Sequence, residues 1–455
     1  MYGKKRMKKT LIIASVFMAM LFAGCSGEAN EEKYGQGIPF PKGDQVTLTV
    51  SAVAEDPNAT RVAYGSTDAT WETGDKIFLI KSDGTTITLT LSSGAGTSVG
   101  SFTSTDPVVA GTYTPYAVSA SSLSKGYVTV AEGQITLDLT AGGGGTLADA
   151  LEHDILKGTA VVLTDNQTTA TIEDLTTHML SYLRFQFAAT AKAISTIGVS
   201  SAGGINQTVT IAANGTVTGS NPTTSAINIT AGDDGANTYA GYIAVYGSTS
   251  TSLVAHAEDV DGGKYSRLVS TKTANYTAGK VYGKSFTLTD NMMNAAATGT
   301  LSDQNWKNLG LSVKWAEFYV GQSSEFAYDR STYSGSVAPP ASWSGWRLPT
   351  SAEVNELYYA STLEWISTGQ NGMKFICNDN YVAMGASGYF YDWEADCRDS
   401  EVGESVYFFV NETSGDNHTW TKITSTGFSF STPNSRCTNV RCFSYYGAMR
   451  LVCDY

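Results

Sequence analysis

The sequence of 455 residues has few of the side chains on which most catalytic and metal sites depend. It holds only four histidines, and no two of them have the spacing of metal ligands. We therefore expect no metal site, no cofactor and no histidine-based triad. Basic residues are also scarce, with 29 Lys and Arg against 42 Asp and Glu. The resulting net charge of −13 disfavours nucleic acid as a partner.

Helical periodicity is scarce as well. Apolar residues alternate with Thr and Ser over 46–53, and the same period returns over 86–91, 135–139 and 180–187. This alternation is typical of strands with one buried face. Asn214-Gly215 lies between two such runs and predicts a tight hairpin turn. Together these patterns predict a mainly β protein, with antiparallel sandwiches from about 44 to 289.

The N-terminus combines a basic run with an apolar run from Leu11 to Ala23 that ends in Gly24-Cys25. The apolar run is too short for a comfortable membrane span, so residues 1–24 are interpreted as a lipoprotein export signal. Cys25 is then the lipidation site, which predicts a location at the outer membrane and cell surface. An acidic, polar tether over 25–43 is expected to remain disordered. The alternative is an ordinary signal peptide that leaves Cys25 as a free thiol.

Composition changes near Asp290. Seven of the eight tryptophans and five of the six cysteines lie beyond residue 300. We therefore predict two sandwiches, over 44–165 and 166–289, a linker over 290–302 and a separate module over 303–455. The module has one clear helix start, because Thr350 and Glu353 can form a reciprocal capping box. That helix is expected to reach about Ala360, with Val354 and Leu357 facing a core.

The order of short motifs over 44–289 resembles the fimbrillins, the two-domain pilins of lipoprotein-derived (type V) pili. The resemblance implies two tandem transthyretin-like β-sandwiches and assembly by strand exchange. In that scheme the first strand, 46–53, is removed by proteolysis after Arg61, and a strand of a neighbouring subunit fills the groove. Alternatively, Arg61 is an ordinary surface arginine. The motifs are Thr60-Arg61-Val62, Trp71-Glu-Thr-Gly-Asp75-Lys-Ile77, Gly111-Thr-Tyr113, His178-Met-Leu-Ser-Tyr-Leu-Arg-Phe185 and Tyr276-Thr-Ala-Gly279-Lys-Val-Tyr282.

The last 150 residues resemble the Fibrobacter major paralogous domain family, which is similar to α+β C-type-lectin-like folds. The motifs are Leu309-Gly-Leu-Ser-Val-Lys-Trp-Ala316, Gly345-Trp-Arg-Leu-Pro-Thr350 and Ala448-Met-Arg-Leu-Val452. The calcium-ligand motifs of true lectins are missing, so calcium-dependent sugar binding is not implied.

A pilin that continues into such a head cannot easily donate its own terminus, which predicts a tip adhesin. Its partners would be other pilin subunits and a host, microbial or glycan surface ligand. Aromatic side chains suit such recognition, although packing in the core is an alternative for each of them. The candidates are Tyr328, Tyr333, Trp343, Trp346, Tyr389, Tyr391 and Trp393.

The head contains an odd number of cysteines, so an exported chain can form at most two disulfides there, with the pairing left open. The candidates are Cys377, Cys397, Cys437, Cys442 and Cys453. The four-residue gap between Cys437 and Cys442 also resembles the copper-binding pair of formylglycine-generating enzymes, which is the enzymatic alternative. We predict that the chain is not an enzyme. A further alternative is an anchored surface lipoprotein that does not polymerise.

Overall fold

The structure, a computed structural model, describes residues 48–53, 70–173, 175–249, 252–272, 274–319, 322–323, 341–367, 371–386, 389–392, 398–400, 405–414, 417–424, 427–431, 443–446 and 451–455. These residues form 38 strands and four short helices, arranged in several mostly antiparallel sheets, which confirms the mainly β prediction. No described helix is long and apolar enough to cross a membrane.

Twelve strands and two helices make up the N-terminal part of the described chain. They are β1 Leu48–Val53, β2 Lys76–Lys81, β3 Thr86–Ser93, β4 Val99–Ser104, β5 Gly111–Val118, α1 Ala120–Ser124, β6 Val128–Ala131, β7 Gln134–Asp138, β8 Gly143–Gly144, α2 Leu147–Leu151, β9 Leu156–Lys157, β10 Val161–Leu163, β11 Thr169–Ile172 and β12 Thr177–His178.

Nine of these strands form one sheet in the order β11-β1-β4-β3-β2-β5-β9-β12, with β10 beside β5. The four residues from Ile77 to Ile80 on β2 are all buried. Ile77 and Leu79 pack in a cluster with Phe102, while Phe78 and Ile80 pack in a second cluster on the opposite face. A strand covered on both faces needs an uninterrupted apolar run, which is what the sequence Ile-Phe-Leu-Ile provides.

The middle of the chain contributes twelve further strands and one helix. They are β13 Ser181–Ala189, β14 Ile194–Ser201, β15 Ile205–Ile211, β16 Val217–Thr223, β17 Ile227–Thr230, β18 Gly232–Asp233, β19 Thr238–Val245, β20 Ser248–Thr249, β21 Leu253–Asp259, β22 Lys264–Ser270, β23 Ala274–Asn275, β24 Val281–Leu288 and α3 Asp290–Met293.

Two sheets, β18-β19-β13-β24 and β17-β14-β21-β22, enclose one core that includes Phe185, Phe187, Ile197 and Ile243. We call this pair the β13–β24 sandwich. A separate sheet, β16-β15-β7-β6, joins strands from both sides of the predicted boundary at residue 165. The division into domains at that position stays a prediction.

Two strand pairs are parallel, where the sequence predicted antiparallel sandwiches. β1 runs parallel to β11, and β24 runs parallel to β13 over its full length. Alternation of apolar and polar residues fixes which face of a strand is buried. It carries no information about strand direction, because both pairings have the same side-chain period.

The hairpin predicted at Asn214-Gly215 is present between β15 and β16. Gly215 adopts a φ of 82°, the left-handed region that glycine enters without strain. Asn214 contributes through its side chain, whose Oδ1 accepts the amide of Thr216 at 3.0 Å. The turn is closed by the amide of Ala212, which donates to the carbonyl of Thr216 at 2.9 Å.

Residues 298–455, called the C-terminal region below, hold the remaining elements. They are β25 Thr298–Leu301, β26 Gln304–Lys307, β27 Lys314–Ala316, β28 Trp346–Arg347, α4 Ser351–Ala360, β29 Thr362–Ile366, β30 Gly372–Cys377, β31 Asn380–Gly385, β32 Tyr389–Asp392, β33 Arg398–Ser400, β34 Ser405–Ser414, β35 Asn417–Thr424, β36 Gly427–Ser431, β37 Phe443–Tyr446 and β38 Val452–Cys453. The predicted linker, 290–302, contains α3 and β25.

The predicted helix of the C-terminal region is confirmed. α4 begins after Thr350, whose hydroxyl accepts the Glu353 amide while the Glu353 carboxylate accepts the Thr350 amide. Val354 and Leu357 are fully buried, as expected. Their core also holds the alternate residues of the 309–316 motif, namely Leu309, Leu311, Val313 and Trp315.

Candidate functional site

The first strand occupies an interior position in the nine-stranded sheet. β1 pairs with β4 in antiparallel fashion along all six of its residues, and with β11 in parallel fashion along four. Both backbone edges of β1 are therefore hydrogen-bonded to neighbouring strands. We call this position between β4 and β11 the β1 slot.

The register sets alternate residues of β1 against neighbours on the core side of the sheet. On β4, Gly100, Phe102 and Ser104 are buried, whereas the residues between them are not. Directly paired residues share one face of a sheet. The pairs on that face are Leu48 with Ser104, Val50 with Phe102 and Ala52 with Gly100 on one side, and Val50 with Ala170 and Ala52 with Ile172 on the other.

The floor of the β1 slot is apolar and closely packed. Phe102 is fully buried and makes an edge-to-face contact with Trp71, with ring centroids 4.9 Å apart. A Cβ added to Gly100 would lie 2.8 Å from both rings and from the side chain of Leu91. Within the described part of the chain, the buried Nε1 of Trp71 has no hydrogen-bond partner. In the observed register, the slot holds Ala52 opposite Gly100 and Val50 opposite Phe102.

A slot of this kind can bind any extended segment with the right alternation. Without β1, β4 and β11 would each present a row of unpaired backbone donors and acceptors above an apolar floor. Main-chain hydrogen bonds to both neighbours would supply affinity, and the alternating floor would set the register. This geometry is the one that strand addition would use.

The lipidation site Cys25 and the cleavage site Arg61 lie outside the described residues and stay predictions. The same holds for Tyr328, Tyr333 and Trp393 among the aromatic candidates. Tyr389 and Tyr391 lie in β32, of which the structure gives the backbone.

The two remaining aromatic candidates come together. The rings of Trp343 and Trp346 lie 6.3 Å apart. Trp346 is buried, and its Nε1 donates to the carbonyl of Leu301 at 2.9 Å, so it has the role of a core residue. Trp343 is only half-buried. Of this pair, Trp343 is the side chain with surface available to a ligand.

Two of the five cysteines in the C-terminal region are described, and both are buried free thiols. Burial raises the pKa of Cys377 to about 12 and that of Cys453 to about 11. Both groups are therefore protonated and poorly nucleophilic at neutral pH. Cys397, Cys437 and Cys442 lie outside the described residues, so the pairing of disulfides stays open.

His178, the first residue of the 178–185 motif, belongs to a buried polar network. Its Nδ1 lies 2.7 Å from Oδ2 of Asp154, which also accepts the Tyr182 hydroxyl at 2.5 Å. Oδ1 of Asp154 accepts the amides of Ile155 and Met179. A buried carboxylate satisfied by four donors serves the fold. Within the described residues, no three His, Cys, Asp or Glu side chains come together as a metal ion would require.

A second contact zone was not anticipated from the sequence. β22 of the β13–β24 sandwich packs against the C-terminal region, where Arg267 and Gly310 meet. Arg267 is buried, which is unusual for an arginine without a carboxylate partner in the described residues. The only sequence signal was the glycine within the 309–316 motif.

No protein-family model and no curated protein matches the chain. It is similar to solved structures at low identity. A candidate cell adhesion protein of Bacteroides uniformis is 18% identical, with a TM-score of 0.34 over 55% of this chain and 94% of that one. The tip fimbrial protein Mfa3 of Porphyromonas gingivalis, with C-terminal truncation, is 12% identical, with a TM-score of 0.28 over 54% and 96%.

The fimbrial anchor protein Mfa2 of Porphyromonas gingivalis is 10% identical, with a TM-score of 0.27 over 47% of this chain and 78% of that one. These scores are too low to carry an argument about function.

Proposed function

We propose that the chain is a structural and adhesive subunit of a lipoprotein-derived pilus, assembled by proteolysis after Arg61 and donor-strand exchange. The observation that carries this proposal is the interior position of β1 between β4 and β11. β1 precedes every other described strand and lies one strand in from the edge of its sheet, so it could be replaced without rethreading another described strand. Its removal leaves a slot one strand wide.

The position of Arg61 supports the proteolytic step. In the segment that joins β1 to Thr70, Arg61 is the only basic residue, whereas Glu55, Asp56 and Asp68 are acidic. An arginine-directed protease therefore has a single target between the first strand and the rest of the sheet. Cleavage there would release β1 together with the lipid on Cys25.

The C-terminal region supports a position at the tip. The sheets of the β13–β24 sandwich end with β24, and the chain continues for more than 150 residues in further sheets. Such a subunit would accept a strand through the β1 slot, while its last described strand, β38, is paired with β27 and β28 within the C-terminal region. It presents the C-terminal region outward to a host, microbial or glycan ligand, with Trp343 as the first residue to vary.

The test is the N-terminal sequence and intact mass of the protein recovered from sheared surface filaments of cells that express it. We expect a mature start at Val62 in the filament fraction. In the Arg61→Ala variant, the chain should remain uncut at position 61 and should be absent from the filament fraction. Glu55→Ala, in the same segment, is the matched control and should be processed normally.

A lipidated chain that is uncut at Arg61 and confined to the membrane fraction would overturn the proposal. That result would instead favour an anchored surface lipoprotein that does not polymerise.

A further inference from the structure

Backbone and side-chain contacts join β22 to the C-terminal region. The amide of Ser266 donates to the carbonyl of Gly310 at 2.9 Å, so a hydrogen bond continues the sheet beyond its edge strand. The same carbonyl accepts Nη1 of Arg267 at 2.9 Å. Nη1 also donates to the carbonyl of Ser266 at 2.7 Å. We call this contact zone, Lys264–Arg267 against Leu309–Gly310 and Asn378–Asp379, the seam.

Gly310 fits the seam because it has no side chain. Its φ of 68° lies in the left-handed region. A Cβ built at this position would lie 2.1 Å from the carbonyl oxygen of Lys264, far closer than any real contact. The close approach of the two backbones therefore depends on glycine.

A partly buried network of polar side chains runs across the seam. Asn378 donates through Nδ2 to the carbonyl of Leu309 at 2.7 Å, and its Oδ1 accepts the Ser266 hydroxyl at 3.3 Å. Oγ of Ser266 also lies 3.0 Å from Nδ1 of His256, and Nε2 of His256 lies 2.7 Å from the hydroxyl of Ser200. Each of these four side chains has a hydrogen-bond partner, as a stable polar network requires.

The groups in this network are uncharged at neutral pH. Burial lowers the pKa of His256 to about 4 and raises that of Cys377, which lies beside Ser266, to about 12. Arg267 supplies the one buried positive charge, held by carbonyl oxygens. The buried part of the seam, Tyr265–Arg267 against Leu309–Gly310, therefore resembles the interior of a domain more than a wet contact between two mobile ones.

The cavity of about 510 Å³ beside the seam is bounded by asparagines that bridge backbone segments. Asn380 donates to the carbonyls of Ala297 and Asn308, and Asn308 accepts the Tyr455 hydroxyl at 2.7 Å. These amides are engaged in the fold. The cavity therefore follows from the way the two parts meet, and the bridges across it add to the seam.

We infer that the seam makes the β13–β24 sandwich and the C-terminal region one cooperative unfolding unit, so that a pull on the C-terminal region passes into β22. Force then bypasses residues 290–297, the short segment that connects the two parts along the chain. In the context of an adhesin this inference deepens the proposed function and rests on it. The coupling itself is independent of cleavage or assembly and is tested without them.

The experiment is hydrogen–deuterium exchange with mass spectrometry on the chain from Gln45 to Tyr455. The unchanged chain is compared with two variants of the seam. Arg267→Met changes the sandwich side, and Gly310→Ala changes the C-terminal side. We expect each variant to increase exchange across the seam as well as locally. Arg267→Met should speed exchange in β30 and β31, and Gly310→Ala should speed it in β21 and β22, each by about ten- to hundredfold, the loss expected for buried hydrogen bonds to a charged group.

Two matched controls separate coupling from simple strain or loss of charge. Gly215→Ala places the same residue at a similar φ of 82°, but nothing lies within 4 Å of the added Cβ. Arg184→Met removes an arginine of the same sandwich that pairs with Asp234 at the surface. Arg184→Met should leave exchange in β30 and β31 unchanged, and Gly215→Ala should leave exchange in β21 and β22 unchanged.

The inference is overturned when both seam variants confine faster exchange to their own side. If Gly310→Ala does not fold, Arg267→Met paired with Asn378→Ala gives the same test from the two sides. Failure of the Arg61 experiment with success here would reject the pilus and keep the coupling; the reverse would keep the pilus and reject the coupling.

Discussion

β1 and the C-terminal region are both attached to the sandwiches, but through different kinds of contact. β1 is held by main-chain pairing with β4 and β11, contacts that use backbone groups rather than particular side chains. The seam instead depends on particular residues, a buried arginine and a glycine without room for a methyl group. Main-chain contacts allow one strand to be exchanged for another. Contacts specific to side chains make an attachment permanent.

Removal of β1 should have the largest effect. We expect the chain that begins at Val62 to lose about 5 kcal/mol or more of its free energy of unfolding, at roughly 1 kcal/mol for each lost strand hydrogen bond. A synthetic peptide of residues 45–53 should restore the loss. The measurement is urea unfolding followed by tryptophan fluorescence, with and without peptide.

The control for this prediction is a peptide of the same composition in which apolar and Thr or Ser positions are exchanged. It should not restore stability, because a shift by one residue turns the apolar set away from the floor. Equal stability of the chains that begin at Gln45 and at Val62 would show that the β1 slot has no role in holding a strand.

Truncation of the floor of the slot comes next. Phe102→Ala should lower the free energy of unfolding by about 3–5 kcal/mol, because it opens a cavity beneath β1 and beside Trp71. Val99→Ala, at the exposed end of the same strand, should change it by less than about 0.5 kcal/mol. Chemical denaturation of both variants checks the prediction. Similar losses of stability in the two variants would contradict the assignment of Phe102 to the buried face of β4 and of Val99 to the exposed face.

Acid should weaken the seam. Burial lowers the pKa of His256 to about 4, so between that value and the ordinary 6.5 the unfolded chain binds a proton that the folded chain does not. The stability that His256 contributes is therefore full above about pH 6.5 and falls as the pH falls toward 4, by up to about 3 kcal/mol. His153, whose pKa burial also lowers, acts in the same direction.

Denaturant unfolding at pH 7 and pH 4.5 measures this effect. His256→Asn should reduce the difference in the free energy of unfolding between pH 7 and pH 4.5. His153→Asn, at a site remote from the seam, shows the effect of losing the other buried histidine. An unchanged pH dependence in His256→Asn would contradict the assignment.

The smallest effect is expected at the rim of the seam. The ion pair of Lys264 and Asp379, with atoms 2.5 Å apart, has side chains 39% and 78% exposed. Exposed pairs of this kind contribute about 0.2–1 kcal/mol and weaken in salt. Asp379→Asn should therefore cost less than about 1 kcal/mol, and 1 M NaCl should abolish the difference. A larger cost would indicate that this ion pair, rather than Arg267, contributes most to the stability of the seam.

Features with local causes were predictable from the sequence. The capping box joins Thr350 and Glu353, which are three positions apart in the sequence. The turn at Asn214-Gly215 is closed between Ala212 and Thr216, which are four positions apart. The buried face of β3 followed from its alternation. In each case neighbouring residues alone determine the conformation.

Features that depend on distant partners were not predictable. The parallel pairing of β1 with β11, the sheet that joins β7 to β15, and the seam all combine segments far apart in the sequence. Side-chain period identifies a buried face but not the partner or its direction. Glu356 is a further example. Its carboxylate lies on the core side of α4 and accepts hydrogen bonds from the amide and the hydroxyl of Ser312, a partner 44 positions away in the sequence.

The pairing of Thr49 with Thr169 also constrains the order in which the chain folds. The first described strand has one neighbour at residues 99–104 and the other only at 169–172. Contacts this distant in sequence form late. In a stage with β4 formed and β11 not yet paired, one side of β1 would be open to other extended chains.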